Sequence, residues 1–140
     1  MERILIVEDD SSIRKALTMG LATKKYKVDS AQDGFTGIHK ATGNRYDILI
    51  TDLCLPDYNG IEVIRKIKIY NPDIISIIIT GRGSLKSSIK AIRLGVTDYL
   101  EKPVSLKEVE NAIVQGLAKR ALIREEIQKN IMEQCFKPCI

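Results

Sequence analysis

Residues 4–10 are Ile4-Leu5-Ile6-Val7-Glu8-Asp9-Asp10, a short aliphatic run that passes directly into three acids. A continuous apolar run of this length is typical of a strand buried on both faces, as in parallel sheets covered by helices. Two further runs, at 48–50 and 74–79, have the same character, and weaker strands fit at 27–31 and 98–101. The sequence therefore predicts five strands.

Amphipathic segments between these strands predict helices. Ser11 or Ser12 is expected to cap the first helix, which would run to about Lys24, and Ser105 is expected to cap the fifth. The predicted helices cover about 12–24, 34–43, 60–70, 85–94 and 105 onward. Alternating strands and helices predict an α/β fold, a doubly wound five-stranded parallel sheet of flavodoxin-like order 2-1-3-4-5, with helices on both faces.

The bulk properties exclude several classes of protein. The 140 residues suit one hydrophobic core, and the net charge of +4 is scattered, without a basic block for nucleic acid. The sequence lacks a secretory signal and an apolar stretch that could span a bilayer, so a cytoplasmic location and no membrane contact are expected. The pair Cys135 and Cys139 lacks a second pair of metal ligands, which argues against a zinc site.

Polar residues follow the predicted strands where a parallel sheet places its ligand site. They are Glu8 and Asp9 after the first strand, Asp52 and Thr80 at the ends of the third and fourth, and Lys102 after the fifth. Clustered carboxylates repel one another unless a cation lies among them, and oxygen ligands suit Mg²⁺. Three carboxylates, one lysine and Mg²⁺ have no net formal charge, so the site could accept a phosphoryl group on a carboxylate nucleophile.

Four segments resemble the signatures of two-component response regulator receiver domains, in order and at matching spacing. The segments are 4–10, 51–60, Thr80-Gly81 and 98–103. The resemblance covers about Glu2 to Leu117. Its spacings, with Gly81-Arg82-Gly83 after Thr80, are most similar to the nitrogen-regulator type, which precedes ATPase activator domains working with the alternative sigma factor.

The resemblance implies a role for each matching position. Asp52 would be the phosphoacceptor, Asp9 would bind Mg²⁺ directly, and Glu8 would bind it through water. The further implied roles are the backbone carbonyl of Cys54 as a metal ligand, Thr80 and Lys102 as phosphoryl contacts, Tyr99 as the aromatic switch, and a cis peptide bond before Pro103. Arg82 is either a solvated loop charge or an influence on phosphoryl lifetime.

By the same resemblance, the chain is a phosphorylation-dependent switch rather than a conventional enzyme. It would accept a phosphoryl group from a sensor histidine kinase, catalyse only its own phosphoryl transfer and dephosphorylation, and relay a conformational change to an output domain, expected to act in transcription. A degenerate receiver that acts only as a binding module is disfavoured because all the side chains of the site are present.

Three enzyme and carrier classes with related topology fit less well. A haloacid-dehalogenase-like phosphatase needs a second Asp two residues after its nucleophile, where this chain has Cys54. A P-loop hydrolase needs a Gly-x-x-x-x-Gly-Lys-Ser/Thr motif, which residues 81–86 do not supply. A flavin carrier needs a phosphate-binding loop after the first strand, where Glu8 and Asp9 would repel phosphate.

The C-terminal segment predicts a continued helix. Apolar residues recur every fourth position at Ile123, Ile127 and Ile131, and Pro138 ends the pattern. We expect a receiver domain over 1–117 and a helical linker over 118–140, which in a longer protein would be the start of an output region. The stripe predicts a homodimer through this helix, with the face of the fourth helix, fifth strand and fifth helix as the alternative surface. A tail that orders only in a longer protein remains the other interpretation.

Overall fold

The structure, a computed structural model, describes residues 1–81 and 85–135, with the side chain of Leu85 excepted. Its strands are β1 (Arg3–Val7), β2 (Lys27–Ala31), β3 (Ile48–Asp52), β4 (Ile75–Thr80) and β5 (Asp98–Glu101). They form one parallel sheet of order β2-β1-β3-β4-β5, which confirms the predicted fold. Arg82 and Pro138, for which the sequence made predictions, lie outside the described residues.

In the described part of the chain, five helices cover the sheet on both faces. They are α1 (Ser11–Ala22), α2 (Gly34–Gly43), α3 (Gly60–Tyr70), α4 (Leu85–Leu94) and α5 (Leu106–Cys135). Alternate residues of β1 point to opposite faces. Leu5 and Val7 pack with side chains of α2, α3 and α4, whereas Ile4 and Ile6 pack with those of α1 and α5. This two-sided burial explains why the central strands are continuous apolar runs.

The ends of α1 differ from the prediction. The helix is capped by Asp10, whose carboxylate accepts a 2.9 Å hydrogen bond from the N–H of Ser12, so neither Ser11 nor Ser12 is the cap. An acid here satisfies an N–H group that the helix itself leaves unpaired. The helix ends at Ala22 rather than Lys24, because the chain turns through residue 25 at a φ of 71°.

The last helix is long, as predicted, and it stays in contact with the body of the fold beyond Leu117. Arg120 Nη2 lies 3.1 Å from Asp47 Oδ1, and Arg124 forms an ion pair with Asp73. Farther along α5, the predicted apolar stripe is about half exposed. Among the described helices, none has the length and apolar character needed to cross a bilayer.

Gly116 lets α5 lie close against the sheet. A Cβ at this position would approach the side chain of Ile75 to 2.7 Å and that of Thr97 to 2.9 Å. Glycine costs about 1 kcal/mol in a helix interior. Close packing of the helix on β4 offsets that cost, and the same face of α5 then continues into the exposed stripe.

Candidate functional site

Two neighbouring strands bring the acids together. Glu8 follows β1 and Asp52 ends β3, and these strands pair in parallel with Val7 opposite Thr51. Carboxylate oxygens of Glu8, Asp9 and Asp52 lie within 4.8 Å of one another. Glu8 and Asp52 are 3% and 6% exposed, whereas Asp9 is open to solvent. The sequence therefore predicted this cluster correctly.

Lys102 joins the two buried carboxylates. Its Nζ lies 2.9 Å from Glu8 Oε1 and 2.9 Å from Asp52 Oδ2. Its backbone N–H donates to the carbonyl of Thr80 at 2.8 Å, which fixes the residue beside β4. The following peptide bond, to Pro103, is cis as predicted.

Burial and charge act in opposite directions on these groups. Burial raises the pKa of Glu8 to about 7, against the lowering effect of the hydrogen bond from Lys102. Burial alone would lower the pKa of Lys102, but its hydrogen bonds to Asp52 and Glu8 raise it overall. The lysine therefore stays protonated at neutral pH, whereas the Glu8 carboxyl, with a pKa of about 7, is only partly ionised there unless a nearby cation lowers that pKa.

The donor atoms fit Mg²⁺. The cluster offers carboxylate oxygens alone, and Mg²⁺ binds through one or two such groups while keeping several waters. Beside it, the N–H of Cys54 donates to Asp52 Oδ1 at 3.2 Å, so the start of the β3–α3 loop lies against the central carboxylate.

Gly60 allows this loop to return to the end of β3. Its N–H donates to the carbonyl of Leu53 at 2.7 Å. A Cβ on Gly60 would lie only 2.2 Å from the carbonyl oxygen of Asp52, so a side chain would push the loop away from the site.

A cavity of about 320 Å³ adjoins the acidic cluster. It is lined by Asp52, Cys54, Thr80, Gly81 and Lys102. Thr80 is buried at the end of β4, and among the described residues the nearest atoms to a Cβ on Gly81 would be those of the Lys102 side chain, at 3.9 Å. The cavity thus joins a carboxylate, a hydroxyl and an ammonium group, which suits a tetrahedral oxyanion.

Tyr99 lies apart from this cavity. It pairs with Ile78 across β4 and β5, so by alternation it shares a face of the sheet with Thr80. The ring packs against the core on the side of α2 and α3. Its hydroxyl is buried without a hydrogen-bond partner in the described part of the chain.

Two residues beside the site were not predicted from the sequence. Arg14 of α1 donates from Nη1 to the carbonyls of Glu8 at 2.8 Å and Asp9 at 3.3 Å, which holds the end of β1. Asp57 of the β3–α3 loop accepts hydrogen bonds from the first turn of α2. Both contacts join separate elements, and no local sequence pattern signals them.

Comparison with known proteins gives a consistent assignment. A family model described as the response regulator receiver domain matches residues 4–114. The response regulator ArlR of Staphylococcus saprophyticus is 35% identical over 133 residues, which cover 95% of this chain and 57% of that protein. ArlR of Staphylococcus aureus is 36% identical over 133 residues, covering 95% and 58%. The chain thus spans less than two thirds of the length of these relatives.

Solved structures agree with this assignment. A CheY-like receiver domain protein from Methanospirillum hungatei has a TM-score of 0.83 at 29% identity, covering 86% of this chain and 97% of that one. The beryllofluoride-activated NtrC4 receiver domain dimer has a TM-score of 0.80 at 32% identity, covering 86% and 99%.

Proposed function

This chain belongs to the response regulator receiver domain family, and on that premise we propose that Asp52 is its phosphoacceptor. As a receiver domain of a two-component response regulator, it is a signalling domain. The observation that carries the proposal is the position of Asp52: its buried carboxylate ends β3, pairs with Lys102 and lines the cavity beside the acidic cluster.

The proposed reaction is phosphoryl transfer from a histidine of a sensor kinase. The Asp52 carboxylate attacks phosphorus, an O–P bond forms as the N–P bond breaks, and the electron pair leaves with the imidazole nitrogen. Lys102 Nζ, now 2.9 Å from Asp52 Oδ2, would pair with a phosphoryl oxygen. The ionised carboxylate needs no general base. The chain would catalyse only this transfer and its own dephosphorylation.

We assign the Mg²⁺ site to Asp9, Asp52 and the carbonyl of Cys54, with Glu8 acting through water. This division is supported by exposure: Asp9 is open to solvent beside the cluster, whereas Glu8 is buried and hydrogen-bonded to Lys102. Bound Mg²⁺ would offset charge on the phosphoryl oxygens.

Phosphorylation would shift the chain between two conformations. The phosphoryl group brings about −1.5 to −2 charge and new acceptor oxygens, toward which Thr80 and Lys102 would move. Tyr99 would then fill the space beside Thr80. Its position on the same face of the sheet supports this coupling. The change would be relayed to an output region that acts in transcription.

The subgroup and the partners belong to the same proposal. We propose that this receiver is most similar to those of the nitrogen-regulator type. Its 32% identity to the NtrC4 receiver supports this, although its identity to the ArlR relatives is higher, at 35–36%. We propose a receiver domain over 1–117, a linker over 118–140 and no contact of this chain with nucleic acid. A cytoplasmic location is supported by Cys54 and Cys135, which form no disulfide within the described residues.

We also propose a homodimer. The stripe of Ile123, Ile127 and Ile131 on α5 offers one surface. The face of α4, β5 and α5 offers another, and Ile92 of α4 is 75% exposed. The dimer named for the NtrC4 receiver supports self-association in a relative.

Acetyl phosphate with Mg²⁺ tests the phosphoacceptor. Intact mass should rise by one phosphoryl group in the wild type and in Asp10→Asn, whose acid caps α1 outside the cluster. Asp52→Asn should show no addition. Unchanged labelling of Asp52→Asn would reject the assignment.

A further inference from the structure

The β3–α3 loop is hydrogen-bonded to the start of α2, a helix from an earlier part of the chain. Gly34 N–H donates to Asp57 Oδ1 at 2.9 Å, and Phe35 N–H donates to Asp57 Oδ2 at 2.9 Å. These N–H groups open α2, where a helix leaves its donors unpaired and favours negative charge. The local cap, Asp33, accepts from Thr36 N–H at 2.8 Å. The first turn of α2 therefore has two carboxylates, one of them from the loop beside Asp52.

A second contact holds the same loop against α2. A Cβ on Gly34 would lie 2.8 Å from Tyr58 Cδ2, so the absence of a side chain lets the Tyr58 ring lie directly on the helix. Within the loop, Leu55 N–H donates to the carbonyl of Tyr58 at 3.2 Å, and Cys54 forms an antiparallel bridge with Asn59. The loop is thus a small closed turn. Its ends are held at β3, and Asp57 and Tyr58 hold its middle against α2.

Asp57 is suited to hold this position. Asp57 is exposed; slight desolvation alone would raise its pKa, but hydrogen bonds from Phe35 and Gly34 lower it overall. The carboxylate is therefore ionised at neutral pH, and hydrogen bonds to an ionised acceptor are stronger than neutral ones.

We propose that Asp57 is a positioning residue for the metal site, acting through the loop that it fastens to α2. Cys54 is three residues before Asp57, and its N–H contacts Asp52 while its carbonyl is the assigned metal ligand. The inference rests on the proposed Mg²⁺ site. Without Asp57 the loop loses its hydrogen bonds to α2, so the Cys54 carbonyl would be held less firmly at the assigned metal site.

The expected effect is a weaker Mg²⁺ complex. Groups that orient metal ligands typically change metal affinity 10–100-fold, so Asp57→Ala should raise the Mg²⁺ dissociation constant by about ten-fold. Asp57→Asn keeps one acceptor oxygen and should give an intermediate value. This graded recovery is expected of a positioning group.

Asp33→Ala is the matched control. It removes one carboxylate and one hydrogen bond from the same turn of α2, but it leaves the loop contacts in place. The two alanine variants should therefore lose similar thermal stability and similar negative charge. Only Asp57→Ala should lose Mg²⁺ affinity, and the loss should persist in added salt, which screens long-range effects of charge.

Calorimetric titration of Mg²⁺ into the full chain and the three variants decides the question without measuring phosphorylation. Tight binding by the wild type with about ten-fold weaker binding by Asp57→Ala supports the inference. Equal affinity of the wild type and Asp57→Ala, or equal weakening in Asp33→Ala, overturns the role of Asp57 and leaves the metal site standing. A wild-type chain that binds no Mg²⁺ overturns the proposed metal site, and the role of Asp57 with it.

Discussion

Lys102 is the residue on which the charge balance of the site depends. It contacts two buried carboxylates, from β1 and from β3, that would otherwise repel each other. Breaking a buried pair leaves an uncompensated charge, which is more costly than the pair is stabilising. The same ammonium group lies at the cavity where a phosphoryl group would arrive, so one residue supports both the resting fold and the proposed chemistry.

The raised pKa of Glu8 predicts that the stability of the metal-free protein depends on pH. Burial raises its pKa to about 7 from an ordinary value of 4.5. Between these pH values the folded chain keeps a proton that the unfolded chain releases, so the free energy of unfolding should fall as pH rises through this window. At about 1.4 kcal/mol per pKa unit, the loss is at most about 3–4 kcal/mol.

Urea unfolding of the metal-free chain between pH 5 and about 8 measures this loss. Glu8→Gln cannot titrate and should show a flatter profile than the wild type. Identical pH profiles for the two chains would show that Glu8 is not the group responsible.

At the scale of elements, α5 is attached to the opposite end of the sheet from the acidic cluster. Arg120 pairs with Asp47, which precedes β3, and Arg124 pairs with Asp73, which precedes β4. The hydrogen bond from Arg124 lowers the pKa of Asp73, in keeping with a formed ion pair. The helix therefore leaves the sheet with a direction fixed by two side chains beyond Leu117.

This attachment predicts where the folded unit stops gaining stability. A chain ending at Arg124 should be more stable than one ending at Leu117 by about 1–2 kcal/mol, because each partly exposed pair contributes up to about 1 kcal/mol and the intervening turns add packing. Thermal or denaturant unfolding of the two chains gives the difference. Arg120→Ala in the full chain should reproduce part of it. Equal stability of the two truncated chains would mean that the ion pairs do not stabilise the fold.

The sequence predicted the elements and the convergence of the acids with Lys102 because both follow from local pattern and topology. Asp52, Thr80 and Lys102 end or follow their strands, and parallel strands bring these ends to one edge of the sheet. The contacts that it did not predict are tertiary. Asp57 meets α2 across 23 positions, and Arg120 meets Asp47 across 73. Such pairs depend on how loops and helix ends pack, which residue periodicity does not encode.

At the scale of the whole molecule, phosphorylation should change the conformation of residues far from Asp52 in sequence. Moving a two-state equilibrium from 1:99 to 99:1 needs about 5.5 kcal/mol of differential contact energy. Beryllofluoride with Mg²⁺ should shift amide NMR signals across Thr80–Tyr99, because Thr80 lines the cavity and shares a face of the sheet with Tyr99. Thr80→Ala should lose the shifts near Tyr99. Shifts confined to neighbours of Asp52 would argue against the switch.

Self-association is the second prediction at this scale. The full chain should sediment as a dimer, and a chain ending at Arg124 should be a monomer, because that truncation removes Ile127 and Ile131 but keeps both ion pairs of α5. Because both chains keep these ion pairs, a difference in sedimentation would come from the loss of apolar side chains and not from a less stable fold. If both chains are monomers at high concentration, with and without phosphorylation, the proposed dimer is wrong.

Chemical mapping of the phosphorylated residue is the direct test of Asp52. Borohydride reduces an acyl phosphate to an alcohol, so phosphorylated aspartate becomes homoserine, which peptide mass spectrometry locates. After treatment of the full chain with acetyl phosphate and Mg²⁺, we expect homoserine at position 52 alone, and none when Mg²⁺ is removed by chelation. Homoserine at position 9 or 57, or phosphate retained on His39, would contradict the assignment of Asp52 as the phosphoacceptor.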